Sequence, residues 1–87
     1  MKRKSLTPES KMPSYSLKSI VAQNIKKLRY QRGLSQEKLA AMCGYHRTYV
    51  GAVERGERNI TLATLEAFAN ALSVDPRELL NDENTGA

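Results

Sequence analysis

The sequence contains no tryptophan, one cysteine and one phenylalanine. A lone Cys43 excludes an internal disulfide. A chain of 87 residues is one domain, and a domain this small buries only about 60% of its unfolded surface. Its stability must therefore come from tight helix packing, from association with a second copy, or from both. The few aromatics, with Tyr15, Tyr30 and Tyr45 scattered along the chain, do not make a stacking platform for single-stranded nucleic acid; rim packing is the expectation for Tyr30 and Tyr45. No apolar run approaches the ~18 residues of a membrane span. The basic start Lys2-Arg3-Lys4 is not followed by the apolar stretch of a secretory signal. The expectation is a soluble, cytoplasmic protein with no membrane partner. Paired carboxylates, a glycine-rich phosphate loop and a nucleophile–base set are also lacking, so no catalytic residue is expected and the chain is read as no enzyme. Cys43 and His46 lie three apart, but zinc takes about four ligands. No metal, cofactor or small-molecule ligand is expected, and Cys43 is read as a small buried hydrophobe.

What is present is an uneven charge. The net charge is +5, and the last third opposes Arg77 alone to Glu66, Asp75, Glu78, Asp82 and Glu83. Every other Lys and Arg lies before residue 61. A polyanion is attracted to the first two thirds and repelled by the rest.

The hydrophobic pattern is helical throughout. Residues 1–16, with two prolines and four serines, read as a disordered basic N-terminal arm. Leu17, Ile20, Val21, Ile25 and Leu28 then lie on one helix face, predicting a first helix over 18–31 that Gly33 ends. Ser35 caps a second helix over 36–42, with Glu37 in its first turn and Leu39, Ala40 and Cys43 inward. Gly44 stops it. A third helix begins near Arg47, with Val50 and Val53 on its apolar side, and closes at Arg55-Gly56. Thr61 caps a fourth, in which Leu62, Leu65, Phe68, Ala69 and Leu72 form the buried stripe. Asp75-Pro76-Arg77-Glu78 combines a cap, a proline at the first helical position and a glutamate three residues on, predicting a fifth helix. No strand pattern or internal repeat occurs. The expectation is an all-α, five-helix domain over 17–81, with 82–87 a flexible C-terminal tail.

Two short helices joined by a tight glycine turn make a helix-turn-helix, here helices 2 and 3. A helix about 10–12 Å across fits the major groove of duplex DNA, ~12 Å wide. Val50 packs back on the helix crossing, which puts Arg47, Thr48 and Gly51 on the free side. A cation at a helix start opposes the helix dipole. It makes sense where a guanine edge or a phosphate will sit.

The runs "IKKLRYQRGLSQEKLAAMCGYHRTYVGAVERG" and "TLATLEAFANALSVDPRELL" resemble the phage-repressor, Cro-like (xenobiotic-response-element) helix-turn-helix family. Within it, "HRTYVGAVERGERNITLATLE" is similar to the controller proteins of restriction–modification systems, small dimeric regulators. The resemblance implies a role for each matched position. Arg47 and Thr48 read bases, Arg47 by a bidentate grip on guanine and Thr48 by its methyl against thymine. Tyr49 lies along the backbone or over the centre of the site. Gly51 and Ala52 complete the reading helix. Gln36 bonds a phosphate, and Arg58 and Asn59 contact the backbone, with Lys26 a further backbone candidate. Arg29 and Glu54 match positions that hold an interhelical ion pair. Lys2-Arg3-Lys4 is either a minor-groove arm or a loose tether.

One short recognition helix reads too few base pairs for a genome-sized search. A homodimer on a near-palindrome is therefore expected, facing itself through the acidic C-terminal part with Leu79, Leu80 and Phe68 as the apolar patch. The function this implies is sequence-specific transcriptional regulation from double-stranded DNA, with RNA polymerase a candidate contact on the rear of helix 3. The rival readings are an antitoxin, a phage or mobile-element repressor, and a helix-turn-helix module that binds protein.

Overall fold

The computed structural model describes residues 16–82. Lys2, Arg3, Lys4, Tyr15 and the rest of the expected arm before Ser16 lie outside the described residues, as does the expected tail from Glu83. Four α-helices follow in order: α1 (Leu17–Gln31), α2 (Gln36–Cys43), α3 (Arg47–Glu54) and α4 (Leu62–Leu72). No strand occurs among the described residues.

The helices start where side chains can satisfy their free N–H groups. The hydroxyls of Ser16, Ser35 and Thr61 accept from the backbone N–H of Ser19, Lys38 and Thr64. Between α2 and α3 the chain has residues 44–46 in which to reverse. Gly44, at φ 81°, makes that reversal in a left-handed conformation that a side chain would strain.

The expected fifth α-helix is instead a 3-10 helix, Pro76–Leu80. Its bonds run from Glu78 N–H to Asp75 O at 2.8 Å and from Asn81 N–H to Glu78 O at 3.4 Å. Five residues are too few to repay α-helix nucleation, and the tighter i→i+3 turn closes the element sooner. Asp75 caps it, accepting from the Arg77 backbone N–H at 2.8 Å and from Arg77 Nη2 at 2.7 Å. The Arg77 guanidinium and then the backbone bond lower the Asp75 carboxyl to about 2. A lowered carboxylate favours the folded state above its unfolded value of about 3.9, and the benefit disappears as pH falls through the folded value. A carbon-13 titration is expected to place Asp75 near 2 and to return it toward the ordinary range in Arg77→Ala. An unmoved midpoint in that variant rejects the pairing.

The core is a single cluster. Ile25, Leu39, Val50, Phe68, Leu72 and Leu79 are its fully buried members. Phe68 and Leu79, assigned by sequence to a dimer face, are each 0% exposed within one chain. They cannot also form a surface, because both are already consumed in closing α4 and the 3-10 helix over α1. Leu17 and Leu62 depart the other way: read as core, they are 60% and 80% exposed. Each is the first residue of its helix, on the edge where neighbouring elements end.

Asn24 is a buried polar residue that the hydrophobic pattern passes over. Its Nδ2 donates to the carbonyls of Leu79 and Asn81, both at 2.9 Å. It thereby satisfies the end of the 3-10 helix that backbone bonding leaves open, and ties that helix to α1.

Candidate nucleic-acid interface

The surface of interest is built by α2 and α3 and the loop that follows. α3 has no hydroxyl or carboxylate at its cap. His46 takes that place, its Nδ1 accepting the Thr48 backbone N–H at 3.1 Å. Histidine is not among the favoured capping residues, so no sequence signal marked this role; the sequence reading weighed His46 beside Cys43 for a metal or a nucleophile and rejected both. Among the described residues no group of three or more potential metal ligands occurs.

Beyond the cap, α3 is divided lengthwise. Arg47 and Thr48 are exposed and Tyr49 is half-buried, while Val50 to Glu54 are buried. Gly51 and Ala52 are therefore not on the bare edge expected of them. Ala52 is 7% exposed, turned toward the neighbouring helices. Gly51 is covered from outside: a Cβ there would lie 3.2 Å from Arg55 Nη1 and 3.5 Å from Gln36 Oε1. The missing side chain lets Gln36 and Arg55 lie across the helix, so those two longer groups present the surface in its place.

Arg47 is exposed, with Nε 3.8 Å from Glu37 Oε2. This long contact between exposed groups contributes little to stability and leaves the guanidinium free to move to another acceptor. Arg55 is held by Glu57, Nε to Oε2 at 2.9 Å. Hydrogen bonding to Arg55 lowers the Glu57 carboxyl and raises the Arg55 guanidinium. The carboxylates of this surface are thus each met by a cation of the same surface.

The loop after α3 is positioned by aromatic packing. The Arg58 guanidinium sits 5.1 Å from the centre of the Tyr49 ring, within cation–π range. Tyr49 lies 5.1 Å from Tyr45, and Tyr45 lies 6.1 Å from Phe68. Tyr45 also shares a hydrogen bond with Thr64 at 2.9 Å. A line of rings therefore runs from the core to Arg58. Arg58 and its neighbour Asn59 are exposed. Lys26 is exposed on α1, a separate element, and Tyr30 is exposed beside Arg29, whose guanidinium carbon is 4.6 Å from its ring centre. Cys43 is half-buried, and burial raises its thiol, the state of an inert small hydrophobe.

Behind this surface Arg29 of α1 reaches Glu54 of α3. Arg29 Nε donates to Glu54 Oε2 at 2.6 Å and Nη2 to Oε1 at 3.0 Å. The side chains are 8% and 3% exposed. The hydrogen bond to Glu54 raises the guanidinium against the opposing effect of burial. A third donor, Arg29 Nη1, holds the Leu34 carbonyl at 2.8 Å in the turn that leads to α2.

Comparison with known proteins places this geometry among regulators. Residues 25–79 match the helix-turn-helix family model. The chain is 45% identical over 73 residues to the control protein C.SmaI of Serratia marcescens, covering 84% of this chain and 87% of that one. It superposes on the restriction-modification controller protein C.AhdI from Aeromonas hydrophila with a TM-score of 0.71 at 46% identity, covering 75% of this chain and 98% of that one. It also superposes on C.Esp1396I bound to a 25 base pair operator site, with a TM-score of 0.69 at 36% identity over 76% of this chain and 87% of that one.

Proposed function

We propose, from the premise that this chain belongs to the helix-turn-helix family, that it is a cytoplasmic, sequence-specific DNA-binding regulator of a restriction–modification operon and has no catalytic role. The observation that carries this reading is the division of α3: its leading residues Arg47 and Thr48 are bare while its trailing half is buried. A rigid helix with that orientation offers its first turn to the major groove and keeps its register through its own core. Arg47 is the guanine reader and Thr48 a methyl contact. Gln36, Arg58 and Asn59 contact the sugar–phosphate backbone, as does Lys26, and these contacts set orientation rather than sequence. Tyr49 serves as much to seat Arg58 as to touch DNA. Among the described residues no helix is long and apolar enough to cross a membrane. Selection from random duplex DNA is expected to return a near-palindrome with half-sites about 10 base pairs apart. An unenriched pool rejects the reading.

The dimer it requires keeps Leu80 from the apolar patch read in the sequence and replaces the sealed Phe68 and Leu79 with residues of α1, α3 and α4. Leu17, Val21, Val53, Leu62, Leu65 and Leu80 line an open groove of about 190 Å³. Leu17, Leu62 and Leu80 are 60%, 80% and 39% exposed. A second copy covering this face removes that apolar area from water, and the last residues of the fold take part through Leu80. Leu62→Glu is expected to weaken self-association about tenfold in sedimentation equilibrium while leaving the thermal midpoint of the monomer unchanged. An unaltered monomer–dimer equilibrium moves the interface elsewhere.

A further inference from the structure

The carboxylate of Glu54 does more than meet Arg29. Its Oε1 also accepts a hydrogen bond from Gln36 Nε2 at 3.0 Å. Gln36 is the first residue of α2, half-buried, with its amide lying over Gly51. We propose that Glu54 is a positioning residue for DNA binding, acting through Gln36, so that the buried ion pair holds a phosphate-contacting amide in one orientation. This rests on the regulator reading above and adds to it a group that never touches DNA.

The argument is one of donors and acceptors. An ionised carboxylate only accepts, and a glutamine amide has a donating and an accepting end. Against Glu54 the nitrogen must face inward, and the amide cannot turn over without setting its own oxygen against a carboxylate. One N–H is used by Glu54, and the other is held at a defined angle for an outside acceptor. Glu54 is itself immobilised by two bonds from Arg29, and Arg29 by the Leu34 carbonyl at the entry to α2. The orientation of one surface amide is thus referred to three elements. A free glutamine would give up side-chain freedom on meeting a phosphate; here that ordering is done when the chain folds. This also gives the ion pair a reason to persist, since buried ion pairs exchanged for apolar residues of similar volume are often neutral or stabilising.

That exchange supplies the test. Affinity for a fluorescent duplex carrying the selected site is measured by anisotropy for the parent, for Gln36→Ala, for Arg29→Met with Glu54→Met, and for the triple variant. Gln36→Ala is expected to weaken the parent about tenfold and to weaken the Met/Met background by less than about twofold, because the amide is already unmoored there. The thermal midpoint of the Met/Met protein shows whether it is folded. Equal factors in both backgrounds, or no effect of Gln36→Ala in the parent, overturn the proposal. Should the Met/Met protein not fold, the parent's Gln36 side-chain amide decides by NMR. Side-chain amide protons displaced from coil shifts, one of them exchanging slowly with water, support the anchoring, and coil-like, fast-exchanging signals overturn it. A parent that binds no duplex selectively removes the regulator reading itself, an outcome distinct from binding that ignores Glu54.

Discussion

Arg29→Ala is expected to cost about 3–5 kcal/mol of folding free energy, the penalty for leaving one member of a buried ion pair alone. At about 4–8 °C per kcal/mol for a domain of this size, the thermal midpoint falls by roughly 12–40 °C. The variant loses more than an attraction. Two donors leave the Glu54 carboxylate, which is 3% exposed, and Gln36 alone cannot satisfy a charge out of water. The Leu34 carbonyl loses its donor as well. The exposed pairs are controls within the same molecule. Arg55 with Glu57 has comparable distances, but both side chains are more than half exposed, and solvent screens such pairs so that they contribute little to stability. Arg55→Ala should melt within a few degrees of the parent by circular dichroism at 222 nm. An Arg29→Ala protein that does the same refutes a stabilising role for the pair. A small domain has total stability of only about 5–15 kcal/mol, so the predicted loss is a large fraction of what holds this fold.

The helices were legible in the sequence because their ends are chemical events of one or two residues. Ser35, Thr61 and Gly44 fix boundaries by local bonds and local dihedrals, independent of what packs on the helix. The fifth element was misread because Asp75 and Pro76 signal a helical start correctly, but whether the turn becomes α or 3-10 depends on how soon the chain leaves it, and the partner that meets its end, Asn24, lies more than fifty residues away. Periodicity told which residues are apolar on one face, and could not tell whose interior they enter. Leu79 and Leu62 look alike in sequence; one is sealed inside the chain and the other is 80% exposed. Gly51 was placed on the free edge by spacing along α3, and Ala52 by the family resemblance. Spacing does not see Gln36 arriving from α2, and the helix that crosses α3 decides which of its sides is open.

Arg47→Ala carries the largest expected effect on DNA binding. Loss of a bidentate guanine contact costs about 1–3 kcal/mol, so affinity for the selected site should fall roughly 30-fold at the middle of that range. A second selection on the variant should show one base pair of each half-site relaxed and the rest retained. Folding should be indifferent, since the side chain is 63% exposed and its partner Glu37 79% exposed. That combination separates reading from scaffolding: Arg29 is expected to move the thermal midpoint, and Arg47 to move the sequence preference without it. If affinity fell equally for every duplex and the salt dependence became shallower by about one, Arg47 would be a phosphate contact. The bare leading turn of α3 would then position the protein, and base readout would have to come from Thr48, from Tyr49 or from the shape of the DNA.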